Sequence, residues 1–199
     1  MADLEKTGKN LEGRGFRVHR FASGAEAAEF LVQTLHGTSI GIGGSVTIDT
    51  LGAYDRLCGS NEVFWHWKNH APETRERAGK AETYLCSANG VSENGEIVNI
   101  DGFGNRVAGT IYGPERVFLV VGRNKIAPDL TGAIDRARNI AAPLNARRLN
   151  RHTPCAVGEP RCRDCRSPEK VCGVMTVFFM PPTSIKEFHV ILVDEDLGY

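Results

Sequence analysis

The sequence has no excess of charge of either sign: 24 lysines and arginines balance 24 aspartates and glutamates, and the two kinds are interspersed. A chain without a basic stripe lacks the field that draws nucleic acid or an anionic membrane surface, so neither partner is expected. No apolar run approaches bilayer-spanning length, and the opening Met1-Ala-Asp-Leu-Glu-Lys6 has no basic region followed by an apolar core. Membrane insertion is therefore not expected, and the protein reads as cytoplasmic. No internal repeat, low-complexity tract or linker-like stretch divides the 199 residues, enough to bury a substantial core, which gives one domain over 1–199. Reaction signatures are missing too. There is no Gly-Lys-Ser/Thr ending of a nucleotide P-loop, no dinucleotide glycine fingerprint and no Gly-x-Ser-x-Gly elbow, and the six histidines show no metalloprotease spacing.

What the chain does contain is a glycine-rich stretch, Ser39-Ile-Gly-Ile-Gly-Gly-Ser-Val-Thr47. It reads as a buried strand running through a glycine turn into a short helix through Leu51. Ile40 and Ile42 favour a strand, and Gly43 and Gly44 are expected to take backbone angles that a Cβ forbids. Ser45 and Thr47 add hydroxyls at the helix start, where unpaired N–H groups favour an anion. A tight structural turn explains the same residues equally well.

Along the rest of the chain, strand and helix patterns alternate. A helix is expected over Ala2 to Asn10, a strand through Phe16, Val18 and Phe21, and a helix behind the capping box Ser23-Gly-Ala-Glu26. Val63–Trp65 and Tyr84–Ser87 read as strands, with a charged helix from Glu73 to Thr83 between them. Asn94-Gly95 reads as the centre of a two-residue hairpin turn. The unbroken apolar run Val117–Val121 fits a strand covered on both faces of a parallel sheet. A helix from Asp129 to about Ala142 is expected to stop at Pro143. Strands over Val174–Met180 and Phe188–Val193 would complete the sheet. This is α/β order.

Two loops carry polar groups suited to a ligand. Asp101-Gly-Phe-Gly-Asn-Arg106 sets a carboxylate, a carboxamide and a guanidinium between glycines, where Arg106 can hold a carboxylate or phosphate through paired donors, or where the loop simply caps itself. Asn124 and Lys125 follow the Val117–Val121 strand, at the strand end that borders the crevice in open α/β sheets.

Near the C-terminus, Cys155, Cys162, Cys165 and Cys172 follow the pattern Cys-x6-Cys-x2-Cys-x6-Cys. Four thiolates suit tetrahedral zinc or an iron–sulfur cluster, and the spacing does not choose between them. Arg161, Arg163 and Arg166 surround the central pair and would lower thiolate pKa values. Two disulfides or free thiols are the alternatives, and His152 is a substitute ligand. Cys58 and Cys86, remote in sequence, read as buried small apolar side chains.

Taken together, Gly41–Thr47, Ser87-Ala-Asn-Gly90, Asp101–Val107, Gly122–Ile126 and Ala142-Pro-Leu-Asn-Ala-Arg-Arg148 resemble, in order, the LUD-domain (lactate utilization, LutC/YkgG-like) family. The resemblance implies a three-layer α/β sandwich with a mostly parallel sheet, similar to the glucosamine-6-phosphate isomerase, ribose-5-phosphate isomerase and CoA-transferase group, with a cysteine-rich segment 152–173. It also implies a link to oxidation of lactate or a similar 2-hydroxy acid beside a redox-protein partner. On that reading Gly43, Gly44, Ser45 and Thr47 hold the anionic end of a small metabolite. Asn89, Asp101, Asn105, Arg106, Asn124 and Lys125 orient it, and Cys155, Cys162, Cys165 and Cys172 hold an iron–sulfur cluster or, alternatively, a structural zinc in a non-redox binding or scaffolding protein. No residue is assigned as base or nucleophile, catalysis by this chain alone stays open, and so does a homodimer.

Overall fold

The computed structural model describes residues 3–199. Helix α1 (Leu4–Gly13) begins where the Asp3 carboxylate accepts the Lys6 amide at 2.8 Å, so the start expected at Ala2 falls outside the described residues. Strand β1 (Arg17–Phe21) follows, then α2 (Gly24–Thr34), whose capping residue Ser23 accepts from Glu26 at 3.2 Å while Glu26 reaches back to the Ala22 amide at 2.9 Å. Next come β2 (Ser39–Ile42), α3 (Val46–Thr50), α4 (Tyr54–Cys58) and β3 (Glu62–Trp65). Helix α5 (Thr74–Gly79) is shorter than the charged pattern suggests, because Thr83 already belongs to β4 (Thr83–Cys86).

Strands β5 (Gly90–Ser92) and β6 (Ile97–Asp101) form the expected hairpin, but not with a two-residue turn. Gly95 donates to the Ser92 carbonyl at 2.9 Å and alone takes a positive φ, +91°, while the Ser92 amide donates to Glu96 at 2.8 Å. The loop is thus Glu93-Asn94-Gly95, a turn with a glycine bulge that keeps the strand twist. Helix α6 (Asn105–Ile111), β7 (Arg116–Gly122), a 3-10 turn over Arg123–Lys125 and β8 (Ile126–Ala127) lead into α7 (Leu130–Arg136). Pro143 does not end this helix. A π-helical turn, Ala137–Ala141, stands immediately before Pro143 and carries the chain into α8 (Ala142–Arg148), its widened hydrogen-bond ladder accommodating the proline. A four-residue helix, α9 (Pro154–Val157), precedes the irregular cysteine segment, and β9 (Val174–Phe178) and β10 (Glu187–Val193) close the chain.

The last two strands part company. β10 inserts into the main sheet, a fully parallel six-stranded array in the order β1-β10-β7-β4-β2-β3, whereas β9 pairs antiparallel with β6 in a second sheet of order β8-β5-β6-β9. Alternate residues of β7 separate the layers. Val117, Leu119 and Val121 face a core with the second sheet (Val91, Ile97, Phe178), while Phe118 and Val120 face α2 with Ala27, Ala28 and Leu31. Each is buried completely or nearly so, and the valine, leucine, isoleucine and phenylalanine side chains among them contribute about 1.5–3 kcal/mol apiece. A third cluster packs Val98 and Ile100 of β6 against Ala133 and Ala137. Helices on both faces of the parallel sheet make this a three-layer α/β sandwich.

Candidate functional site

Because the main sheet is parallel, the C-terminal ends of β2, β4 and β7 open on one edge, and there lies a cleft of about 820 Å³. Its inner wall comes from Gly44–Thr47 after β2, Ser87–Asn89 after β4 and Lys125 after β7, its flank from Ile100–Arg106, and its outer rim from α8 and residues 168–171. Gly44, Ser45, Thr47, Asn89, Asp101, Asn105, Arg106 and Lys125 all line it, so most of the ligand set expected from sequence is brought together.

Gly43 and Asn124 do not line the cleft. Neither Gly43 nor Gly44 has a positive φ, contrary to expectation. They allow close approach instead: a Cβ on Gly43 would stand 3.0 Å from Arg106 Cγ and 3.1 Å from Tyr84 Oη, and one on Gly44 would stand 3.2 Å from Trp67 Nε1, so these side chains would have to shift. Asn124 instead pins the C-terminal segment, accepting from Leu197 N–H at 3.1 Å and donating to the Gly198 carbonyl at 3.1 Å.

Several of the lining groups already have partners. Ser45 Oγ caps α3, accepting from Ile48 at 3.3 Å, and the Asp101 carboxylate accepts the Arg106 amide in the first turn of α6 at 2.9 Å. Arg106 Nη2 donates to Asn89 Oδ1 at 2.8 Å and to the Ile100 carbonyl, which fixes the guanidinium against the wall. With Asp101 occupied, the excess of cations in the lining, including Arg75, Arg148, Arg151 and Lys170, favours an anionic ligand.

Lys125 is the most unusual group. It is 3% exposed, and no carboxylate stands within salt-bridge distance among the described residues. Its Nζ donates to Thr47 Oγ1 at 2.6 Å and to Ser87 Oγ at 2.8 Å. Burial, with the guanidinium groups of Arg136 and Arg106 nearby, pushes its pKa down to about 7. Arg136 is itself buried, donating to the Asn124 carbonyl at 2.7 Å and to the Asn89 carbonyl, and burial lowers it to about 10. Below the cleft, burial pushes the Cys86 thiol up to about 12 and raises Tyr84 as well, so both stay protonated.

The four C-terminal cysteines surround a small void of about 20 Å³, lined also by Arg138, Arg163 and Lys170. Among the described residues no three histidine, cysteine or acidic side chains stand close enough to hold a single metal ion. The turn between Cys162 and Cys165 contains Asp164 at φ +48°, and the Asp164 amide donates to Cys162 Sγ at 3.4 Å. Arg138, from the π turn, reaches Cys162 Sγ at 3.6 Å, and the neighbouring Asn139 Oδ1 accepts the Cys162 amide at 3.1 Å. The cations thus differ from those expected: Arg163 lines the void, but Arg161 and Arg166 do not, and Arg138 comes from a helix. His152 is exposed and pairs with Glu169 rather than the thiols. Burial raises the Cys172 pKa, partly offset by Lys170, and the other three thiols add to the rise. Cys86 is buried as expected, but Cys58 at the end of α4 is exposed. Ala142, Lys170 and Val171 border both the cysteine void and the cleft.

The family model described as the LUD domain matches residues 4–193. The chain belongs to the LUD-domain family. A solved structure, a DUF162 family protein from Deinococcus radiodurans, is similar in fold, with 15% identity and a TM-score of 0.56 over 96% of this chain and 95% of that one. A search of curated proteins finds no match.

In this LUD domain the outer cleft holds groups that sequence reasoning missed. Trp67 lines it, with the Arg148 guanidinium 4.5 Å above the indole, and Arg75 sits 5.0 Å from the Phe103 ring. His66 Nδ1 is buried without a partner among the described residues, and burial lowers the pKa of its ring. Arg148 stands within a motif that carried the family resemblance, although no site role was read for it there. Trp67 and Arg75 have no spacing signal; only the fold brings them to the rim.

Proposed function

We propose that this LUD-domain protein takes part in the oxidation of a small 2-hydroxy acid such as lactate, binding the carboxylate in the cleft and holding an iron–sulfur cluster on Cys155, Cys162, Cys165 and Cys172. The carrying observation is the wall of Ala142, Lys170 and Val171 that the cleft and the cysteine void share. A group held by the four thiols would lie one side chain away from a ligand in the cleft.

Four thiolates about one small void are a donor set that suits an iron–sulfur cluster and equally a tetrahedral zinc, so the metal content decides between them. The amide and guanidinium that reach Cys162 Sγ are donors of the kind that stabilise thiolates and tune cluster potentials. A bound cluster supplies one-electron transfer, which calls for a redox-protein partner.

The remaining work falls to this chain's own residues. Arg106, immobilised by Asn89 and the Ile100 carbonyl, presents its remaining donors to a carboxylate, and the rim arginines attract the acid. Asn105 offers a further polar contact. The cleft exceeds a three-carbon acid, so the acid would occupy only the inner part beside Asn89, Arg106 and Lys125.

The test is to purify the protein without air and to measure iron, acid-labile sulfide and zinc per chain, alone and with Cys162→Ser and Cys165→Ser. Iron and sulfide in equal amounts, lost in the variant, are expected, together with calorimetric binding of lactate or pyruvate that weakens at least tenfold in Arg106→Ala. Zinc in place of iron, or no binding of either acid, overturns the reading.

A further inference from the structure

We propose that Lys125 is a nucleophilic amine that captures the carbonyl group of a ligand in the cleft as a reversible imine. This rests on the reading of the cleft as a small-acid site and narrows it to 2-oxo acids, the oxidised counterparts of 2-hydroxy acids.

The geometry around Nζ carries the inference. Thr47 Oγ1 donates to the Leu197 carbonyl at 3.2 Å and Ser87 Oγ to the Val120 carbonyl at 2.6 Å, so each hydroxyl has spent its proton. Toward Lys125 both can act only as acceptors, and they take two N–H donors of the amine at 2.6 and 2.8 Å. Among the described residues Nζ has no third partner, and its remaining corner is the one left to face the cleft that Lys125 lines. In a neutral amine that corner is a lone pair.

The surroundings favour the neutral form. Among the described residues the charged groups that face Lys125 are Arg136 from α7 and Arg106 from α6, both cations, and the group opposing them is the Cys86 thiol on β4, itself kept protonated by burial. Among the described residues no carboxylate stands within salt-bridge distance to offset the burial. The cations that draw an anion to the cleft also disfavour the charge on Lys125, and a lysine desolvated beside other cationic groups is an arrangement that activates an amine for carbonyl chemistry.

The step balances without an external oxidant. The Nζ lone pair adds to the carbonyl carbon, the carbonyl oxygen takes up a proton, and the carbinolamine loses water to leave a C=N bond. Hydrolysis reverses it. Arg106, held on the same wall by Asn89, would bind the adjacent carboxylate and bring the 2-carbon to Nζ.

Borohydride makes the step visible, since hydride reduces the imine to a stable secondary amine. The whole protein is incubated with pyruvate or glyoxylate and borohydride, digested and mapped by mass spectrometry; acetaldehyde serves as a probe without a carboxylate, and calorimetry measures acid binding in parallel. The expected result is a Lys125 peptide heavier by the mass of the oxo acid less one oxygen. It forms at least tenfold faster than adducts on the exposed Lys9 and Lys80, with the rate rising to a plateau through neutral pH. Labelling of Lys125 by acetaldehyde but by neither acid keeps the amine's role and removes the acid reading. Binding of the acids with no label on Lys125 overturns the inference and leaves that reading intact, as does label confined to exposed lysines under all three probes.

Discussion

At the scale of single residues, Lys125 shows what this site costs the fold. Its pKa of about 7 lies below the usual lysine value of 10.5, so between those values the unfolded chain binds more protons than the folded one. Stability therefore rises with pH across that window: the penalty is fully present below about pH 7 and is gone above the unfolded pKa. Lys125→Met removes the charge and keeps the length, and the two hydroxyls it leaves still donate to Leu197 and Val120. The variant should be more stable than the parent by about 3–5 kcal/mol near pH 6, with the gain shrinking toward zero near pH 10. Urea midpoints at the two pH values check this, and a gain independent of pH would show that no buried charge is being relieved. The lysine's place at a strand end was readable from the sequence. Its isolation was not, because Arg136 lies on α7, where the apolar periodicity gave no hint of a buried cation.

Among elements, the contacts that set the site depend on glycines whose role is closeness. α5 crosses β2 so tightly that a Cβ on Gly41 would lie 2.0 Å from the Ala78 carbonyl oxygen, a backbone atom that cannot move aside alone. Gly41→Ala should cost about 3 kcal/mol, at the upper end of overpacking, because α5 would have to lift from the strand that leads into the cleft. Gly79, on the same helix, meets nothing within 4 Å and has ordinary backbone angles. Gly79→Ala should be neutral or stabilise by up to about 1 kcal/mol. Equal urea midpoints for the two variants would refute this account of the packing. Sequence located β2 and its glycine turn but gave Gly43 and Gly44 the wrong reason, since a run of glycines signals open backbone angles and close approach alike. The π turn was equally hidden: Pro143 predicts an ending, and only the fold shows a widened turn that keeps the helix going and carries Arg138 and Asn139 to Cys162.

For the whole molecule, chain order does not give strand order. Val174–Met180 and Phe188–Val193 both read as strands completing one sheet, yet nothing local says that β10 enters between β1 and β7, or that β9 joins the other sheet. That difference is physical. Val190–Val193 are fully or almost fully buried, whereas Val174 and Met175 on β9 are 44% and 38% exposed, so only the former needs cover on both sides. The same gradient predicts where the fold opens first. Amides of β7 and β10 lie between two apolar clusters and should exchange hydrogen only by global unfolding, while those of the irregular 158–168 segment, outside all three clusters, should exchange fastest. Loading the four cysteines should slow exchange in that segment and in the π turn bonded to it through Arg138 and Asn139, and leave β7 unchanged. Exchange mass spectrometry on the loaded protein and on the form with Cys162→Ser and Cys165→Ser separates the outcomes. If β7 gains as much protection as the cysteine segment, the thiols help to hold the whole fold. Protection confined to the segment and the π turn makes them a module resting on a sandwich that is stable without them.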